Sequence, residues 1–326
     1  MARPAVHFMS ASPTASNVLK ETMKIVSLLP SATEIVAALG MAEKLVGRSH
    51  ECDWPIDSAH LPVLTTPKMN PQADAAIIDR DLRALVEDGV SVYRLDADAI
   101  RDLEPDFVIT QSQCELCAVS LGEVETALQD WVGASRPQLV SLEPMALADV
   151  AADIAKVGAA LGASEQADTL CRDMARGFAD LREKTSALAQ QKVFFMEWTA
   201  PLMGAGNWMP ETIEVAGGAV VLGQEGVHSP TVSLTDVAEA DPDVIIVGPC
   251  GFSIARAKAE LAPLETDAAW QDLRAVRDGA VYLVNGNHFF NRPWPRLLQS
   301  AHIVAEILHP HVFAAENLNT GWVRHA

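Results

Sequence analysis

LADVAADIAKVGAALGASEQADTLCRDMARGFADLREKTSALA, residues 147–189, decides how this chain is built. Apolar residues recur at helical spacing from Leu147 to Leu161 and stop at Gly162. Ser164 then caps a second stretch, Glu165 to about Ala189, which holds no proline and a single glycine, Gly177. A helix of roughly 25 residues rising 1.5 Å per residue spans about 37 Å. That length ties two lobes together stiffly, whereas two or three extended strands would make a flexible hinge.

Both sides of this connector alternate strands with helices. Before it, KIVSLL (24–29) reads as a strand, and Ser31 with Glu34 three residues later forms a capping box for an apolar helix ending at Gly40. LVGRSH (45–50) is a second strand, DADAIRDLEPD (96–106) a short helix running to Pro105, and FVIT (107–110) a buried strand. After it, QKVFFMEW (191–198) and VIIVGP (244–249) read as strands, with PETIEVAGG (210–218) and SLTDVAEADPD (233–243) as helices. LEPDFVIT (103–110) and ADPDVIIV (240–247) are alike, as expected of two lobes of similar construction. The pattern predicts an α/β fold in which two Rossmann-like lobes with mostly parallel sheets are joined by a long backbone helix. The expected division is a tail over 1–23, a first lobe over 24–144, the connector over 145–190, a second lobe over 191–311 and a C-terminal tail over 312–326.

With 326 residues, 49% of them hydrophobic, the chain can bury a core large enough for two domains. Its 43 acidic against 24 basic residues give a formal charge of -19, which opposes the phosphate neutralisation that nucleic-acid binding needs and disfavours anionic membranes. Apolar runs such as Ile25 to Leu29 and Val244 to Val247 fall far short of the roughly 20 residues that span a bilayer. The first 22 residues are rich in Ser, Ala and Thr without a continuous apolar core of a secretory signal. Five cysteines, an odd number in a long chain, favour a reducing cytoplasm, with the periplasm as the alternative if an export signal has been missed.

Several segments in order resemble the helical-backbone (class III) periplasmic binding proteins, which include cobalamin, ferric-siderophore and haem receptors of ABC importers. They are SLLPSATEIVAALG (27–40), CDWP (52–55), LEPDFVIT, FMEWTAPLMGAGNWMPETIEVAGG (195–218), ADPDVIIVGPCG (240–251) and NRPWPRLLQSAHIVAEIL (291–308). The likeness runs from Lys24 to His309 and is strongest to the cobalamin receptor branch. It implies a binding protein, not an enzyme, that needs no cofactor, holds a cobalamin-like chelate or a metal ion between its lobes and has an ABC permease as partner. It also implies ligand contacts from Asp53 and Trp54, from the loop at Gln111 to Ser120, from Trp198 and Trp208, and from His288 to Phe290, all after strands and therefore facing one crevice. Two departures stand out. The acidic docking residues of such receptors match here at Asp98 but only at Thr235 beside Asp236, and Ser229, after His228, stands where an aromatic residue is expected.

The residues themselves leave alternatives open. Cys114 and Cys117, in QSQCELCAVS, suit a dithiol redox pair, half of a soft-metal site, or thiols lining a crevice with Gln111 and Gln113. Cys52, Cys250, His50 and His288 offer further ligands, so a cytoplasmic protein holding Zn, Cu or Fe through Cys52, Cys114, Cys117 and His288 is the alternative to a chelate receptor. Trp54, Trp198 and Trp208 lie among Gly and Pro, where they serve equally as flat crevice walls or as packing beneath loops. Glu197 ends a buried strand, and is either a ligand contact or a solvated loop acid; His228 and Phe289 complete the candidate set. GAGNW (204–208) carries GxG without the context of a dinucleotide fingerprint, and GxSxG, HExxH and P-loop motifs are absent.

Overall fold

A computed structural model describes residues 22–88, 90–112, 121–129 and 136–325. The CxxC pair Cys114 and Cys117, with Gln113, lies outside the described residues, as does most of the expected N-terminal tail. Strands are β1 (Ile25–Ser27), β2 (Leu45–Arg48), β3 (Thr65–Pro67), β4 (Tyr93–Leu95), β5 (Phe107–Gln111), β6 (Gln138–Leu142), β7 (Gln191–Met196), β8 (Trp198–Thr199), β9 (Leu202–Met203), β10 (Gly218–Val220), β11 (Val244–Val247), β12 (Val281–Val284) and β13 (Trp322–Arg324). Helices are α1 (Pro30–Ala38), α2 (Ala75–Glu87), α3 (Ala97–Leu103), α4 (Leu121–Gln129), α5 (Leu147–Ala160), α6 (Ser164–Thr185), α7 (Met209–Val215), α8 (Leu234–Ala240), α9 (Ile254–Glu265), α10 (Ala268–Gln271), α11 (Arg274–Arg277) and α12 (Leu297–Leu308).

The first sheet has the order β2-β1-β5-β6, all parallel; the second is β10-β7-β11-β12-β13, parallel except for its last strand. Because side chains alternate across a strand, Val193 and Phe195 of β7 enter one core while Phe194 and Met196 enter another. Ile25 and Ile109 of the first sheet join the former core, and Val26 and Val108 a third. Continuous apolar strands are thus buried on both faces, as parallel sheets require.

The two lobes repeat a joint in detail. In the first, Glu104 takes a left-handed conformation after α3, Asp106 accepts from the Lys24 amide at 2.8 Å, and Lys24 Nζ caps the Leu103 carbonyl at 3.0 Å. In the second, Asp241 is left-handed after α8, Asp243 accepts from the Lys192 amide at 2.7 Å, and Lys192 Nζ caps the Ala240 carbonyl at 3.1 Å. The PD pair shared by both sequences therefore docks the incoming helix onto the lobe's first strand.

The connector is a helical hairpin: α5 packs on α1 and β6 of the first lobe, and α6 on α7 and α12 of the second. At 22 residues, α6 runs about 33 Å. Gly177 lets it approach α12, since a Cβ there would meet the Leu298 side chain. One core cluster runs from Leu29 and Ile35 through Val150, Ile154 and Met174 to Phe290, Trp294 and Leu297, so both lobes and the connector share it.

Four local expectations are corrected. Ser31 and Glu34 form no capping box: α1 begins at Pro30 with Leu29 at its N-cap, Ser31 is buried in the first turn, and Glu34 turns to the opposite lobe. Ser164 lies inside α6, whose N-cap is Ala163. The strand read over 191–198 ends at Met196, because β8 pairs back with β9 as a small hairpin. The stretch read as a C-terminal tail adds β13 antiparallel to β12, anchored where Trp322 Nε1 donates to the buried Glu306 carboxylate at 2.7 Å.

Candidate ligand-binding crevice

Parallel strands send their C-terminal loops to one edge, and here the loops after β2, β7, β11 and β12 bring the two lobes together. In the first lobe, Arg48 gathers the turn after β2 by donating to the carbonyls of Ser49 (3.2 Å), Cys52 (2.9 Å) and Ala59 (3.2 Å). This presents Asp53 and Trp54 outward. In the second, a π-helical turn at Gly286–Phe290 and the approach to α12 present Asn287, His288, Phe289, Arg292 and Arg296.

Asp53 is the meeting point. Its carboxylate accepts from Arg292 Nη1 at 2.7 Å and Asn287 Nδ2 at 2.8 Å, with His288 Nε2 at 3.4 Å. Burial would raise its pKa, but His288, Arg292 and Asn287 together outweigh that and hold the group well below the usual carboxylate range. Arg292, 5% exposed, also donates to Glu34 at 3.1 Å, and Arg296 reaches the other Glu34 oxygen at 3.2 Å. Burial nonetheless pushes the Glu34 carboxyl up to about 7. The Arg296 guanidinium lies 3.3 Å from the Trp294 ring centroid and 4.7 Å from that of Trp54, and its buried Nη2 meets no protein acceptor among the described residues.

Of the sequence-selected residues, Asp53, Trp54, His288 and Phe289 come together around Arg292 and Arg296. His50 lies beside them on the first lobe, its ring nitrogen 2.7 Å from Thr65 Oγ1 and its ring 5.3 Å from Tyr93; burial, helped by Arg48, lowers its pKa. The Trp198 ring packs tilted against Phe252, their centroids 5.1 Å apart, and Cys250 is exposed nearby, its amide donating to the Glu197 carbonyl at 3.1 Å. Burial raises the Glu197 carboxyl, against the pull of Ser229 and the Gly206 amide. Gln111 is buried at the end of β5, and His228 is exposed in the loop before Ser229.

Two residues sit elsewhere than expected. Cys52 is 1% exposed beneath its turn, with Thr33 Oγ1 at 3.0 Å, and burial pushes its thiol up to about 11, which disfavours the thiolate a metal needs. Trp208 packs in the shared core with its indole N–H donating to the Phe290 carbonyl at 3.2 Å. Among the described residues, no group of three His, Cys, Asp or Glu side chains is placed to hold a metal ion. The GAGNW loop is a packing device: a Cβ on Gly204 would strike the Leu222 carbonyl. Of the two docking candidates, Asp98 is exposed and paired with Arg101 at 2.7 Å, while Asp236 caps its own helix through Ser233.

Sequence reasoning missed Glu34, Arg292, Arg296, Phe252 and Arg256. The signal lay in NRPWPR, where two arginines within an aromatic, proline-rich run announce cations held against apolar surface.

The chain matches the model of the periplasmic binding protein family over residues 25–287. It is 25% identical over 311 residues to an uncharacterized ABC transporter substrate-binding lipoprotein, YvrC, of Bacillus subtilis, covering 93% of this chain and 85% of the relative. It is also 25% identical over 285 residues to a vitamin B12-binding protein of Pectobacterium atrosepticum, covering 85% of each. In fold it is similar to a periplasmic heme-binding protein from Pseudomonas aeruginosa, with a TM-score of 0.68 at 19% identity, covering 89% of this chain and 94% of that one. Two parallel-sheet lobes on a helical connector, with strand-end loops of both meeting at Asp53 and Arg292, thus accompany a family match over most of the chain, which belongs to the periplasmic binding protein family.

Proposed function

We propose that this protein is a non-catalytic substrate-binding component of an ABC importer that captures a corrinoid, or a closely related metal chelate, between its lobes and presents it to a permease. The observation that carries this reading is the composition of the place where the lobes meet: the exposed ring of Trp54 lies 4.7 Å from the Arg296 guanidinium, with the partly exposed Asp53 and His288 beside it. A flat macrocycle with polar groups on its rim needs such a surface, apolar over its face and hydrogen-bonding at its edge. The vitamin B12-binding relative supports the corrinoid. The heme-binding neighbour makes haem the comparison ligand.

The stiff connector implies a crevice largely formed in advance, so little ordering free energy is spent on capture. Titrating the purified protein with cyanocobalamin and with haemin, by calorimetry and absorbance, tests the reading. Saturable one-to-one cyanocobalamin binding at micromolar concentration or tighter, weakened at least tenfold in Trp54→Ala, is expected. Binding of haemin alone would move the ligand class to haem, and binding of neither would overturn the proposal.

A further inference from the structure

Residues 68–88 leave the first lobe and return to it through a narrow neck. β3 and β4 pair antiparallel, with Thr65 opposite Leu95 and Pro67 opposite Tyr93, and the Lys68 amide extends the ladder to the Val92 carbonyl at 2.9 Å. Beyond the neck the chain crosses to the second lobe. There Arg256 donates to the Pro71 carbonyl at 2.5 Å and the Ala73 carbonyl at 2.6 Å, and the Ala75 amide donates to Glu260 at 2.9 Å. Arg256 and Glu260 are themselves paired at 3.7 Å, and the guanidinium lies 3.8 Å from the Phe252 centroid. Beneath these bonds Ala75, Ile78 and Phe252 form a small buried cluster, with Met69, Leu82 and Trp198 around it.

We propose that residues 68–88 form a flap that swings about the β3–β4 neck and gates access to the Trp198–Phe252 surface of the crevice. The proposal rests on reading the crevice as the ligand site, and it assigns the flap a closed state held by Arg256 and Glu260. Both fasteners grip main-chain groups, so the closed state depends on the flap's backbone course rather than on its side chains. The apolar seal is small and separate from the core that unites the lobes. Met69 and Leu82 also pack against the first lobe's own core, so the segment stays seated on that lobe while only three polar bonds and one small cluster fasten it to the second. That fastening opens at much lower free energy than the domain unfolds.

The test uses the full chain without ligand. Ile78→Cys places a thiol under the flap, at a position 5% exposed, and the native Cys52, 1% exposed beside the shared core, is the internal control. Labelling with a maleimide, mapped by mass spectrometry, should modify the introduced thiol at least tenfold faster than Cys52. Adding Arg256→Ala and Glu260→Gln should speed labelling under the flap a further fivefold or more without changing Cys52. Equal rates at the two thiols, or no acceleration by the double substitution, would overturn the flap. Should Ile78→Cys fail to fold, hydrogen exchange over residues 75–82 in the wild type and the double variant carries the same decision: faster exchange there, with β7 unchanged, supports the flap, and equal protection overturns it. Cyanocobalamin should associate faster with the double variant; absence of any ligand binding removes the corrinoid reading, whereas normal binding at an unchanged rate removes the gating role.

Discussion

The two lobes meet along two seams of different kinds. On the connector side, Glu34 of α1 is buried against Arg292 and Arg296, and these sit on a core continuous from α1 through α5 and α6 to α12. On the other side, the loop before α2 and its first turn touch Arg256 and Glu260 of α9 and Phe252 of the turn before it, over three buried residues. Both seams use arginine, but one buries charge against charge and the other grips main-chain carbonyls, one exposed and one part-buried. The difference teaches where motion can occur: a seam sharing the main core cannot part without unfolding, and one with its own small cluster can.

The largest effect is expected from Arg292→Ala. Its loss leaves Glu34 and Asp53 short of a partner inside the seam, and breaking a buried pair costs about 3–5 kcal/mol. Urea denaturation should show a single, earlier transition; a change below about 1 kcal/mol would mean that the connector-side seam is no stronger than the other. Phe252→Ala deletes a large ring, which costs about 3 kcal/mol in a rigid core. Here that cost should appear mainly as faster hydrogen exchange in α2, with the global urea midpoint moving by less than Arg292→Ala moves it. Arg256→Ala alone removes two hydrogen bonds near the surface, each contributing about 1 kcal/mol. Calorimetry should find its melting temperature within about 3 °C of the wild type, and a larger fall would place this seam in the cooperative core.

The smallest effect concerns pH. Glu34 has a folded pKa of about 7 against 4.5 unfolded, raised first by burial. Between those values the folded protein holds the proton longer, so this contribution is fully present below about pH 4.5 and is lost as pH rises through 7. Asp53, held low, is ionised throughout that window and adds no slope. From pH 5 to pH 7.5 the wild type should therefore lose more melting temperature, or gain less, than Glu34→Gln, by about 2 °C. Parallel pH profiles would show that Arg292 and Arg296 keep Glu34 ionised and that charge pairing, not burial, governs the connector-side seam.

Much of the architecture was legible because it is local. The PD repeat announced two like joints, and the structure shows why: each aspartate binds the main-chain amide at the start of its lobe's first strand, through Lys24 in one and Lys192 in the other. Asp53, Trp54, His288 and Phe289 were named by the family resemblance, and they come together because residues following parallel strands share one edge. Trp208 could not be sorted by the same rule, since a tryptophan in a Gly-rich loop packs inward or outward according to what lies beneath it, here Phe290. Cys52 was misplaced for a similar reason: its turn folds back over Arg48 and buries the thiol.

Sequence by itself determined the alternation of strands and helices, the stiff connector and the doubling of the lobe, because periodicity, prolines and glycines act over a few residues. Only the tertiary structure decided that Glu34 answers Arg292, 258 positions away, rather than its own helix N-terminus. It alone decided, too, that the loop before α2 and its first turn reach Arg256 and Glu260 of the second lobe. Such pairings depend on which surfaces face each other once both lobes are packed on one core, and no local propensity encodes that.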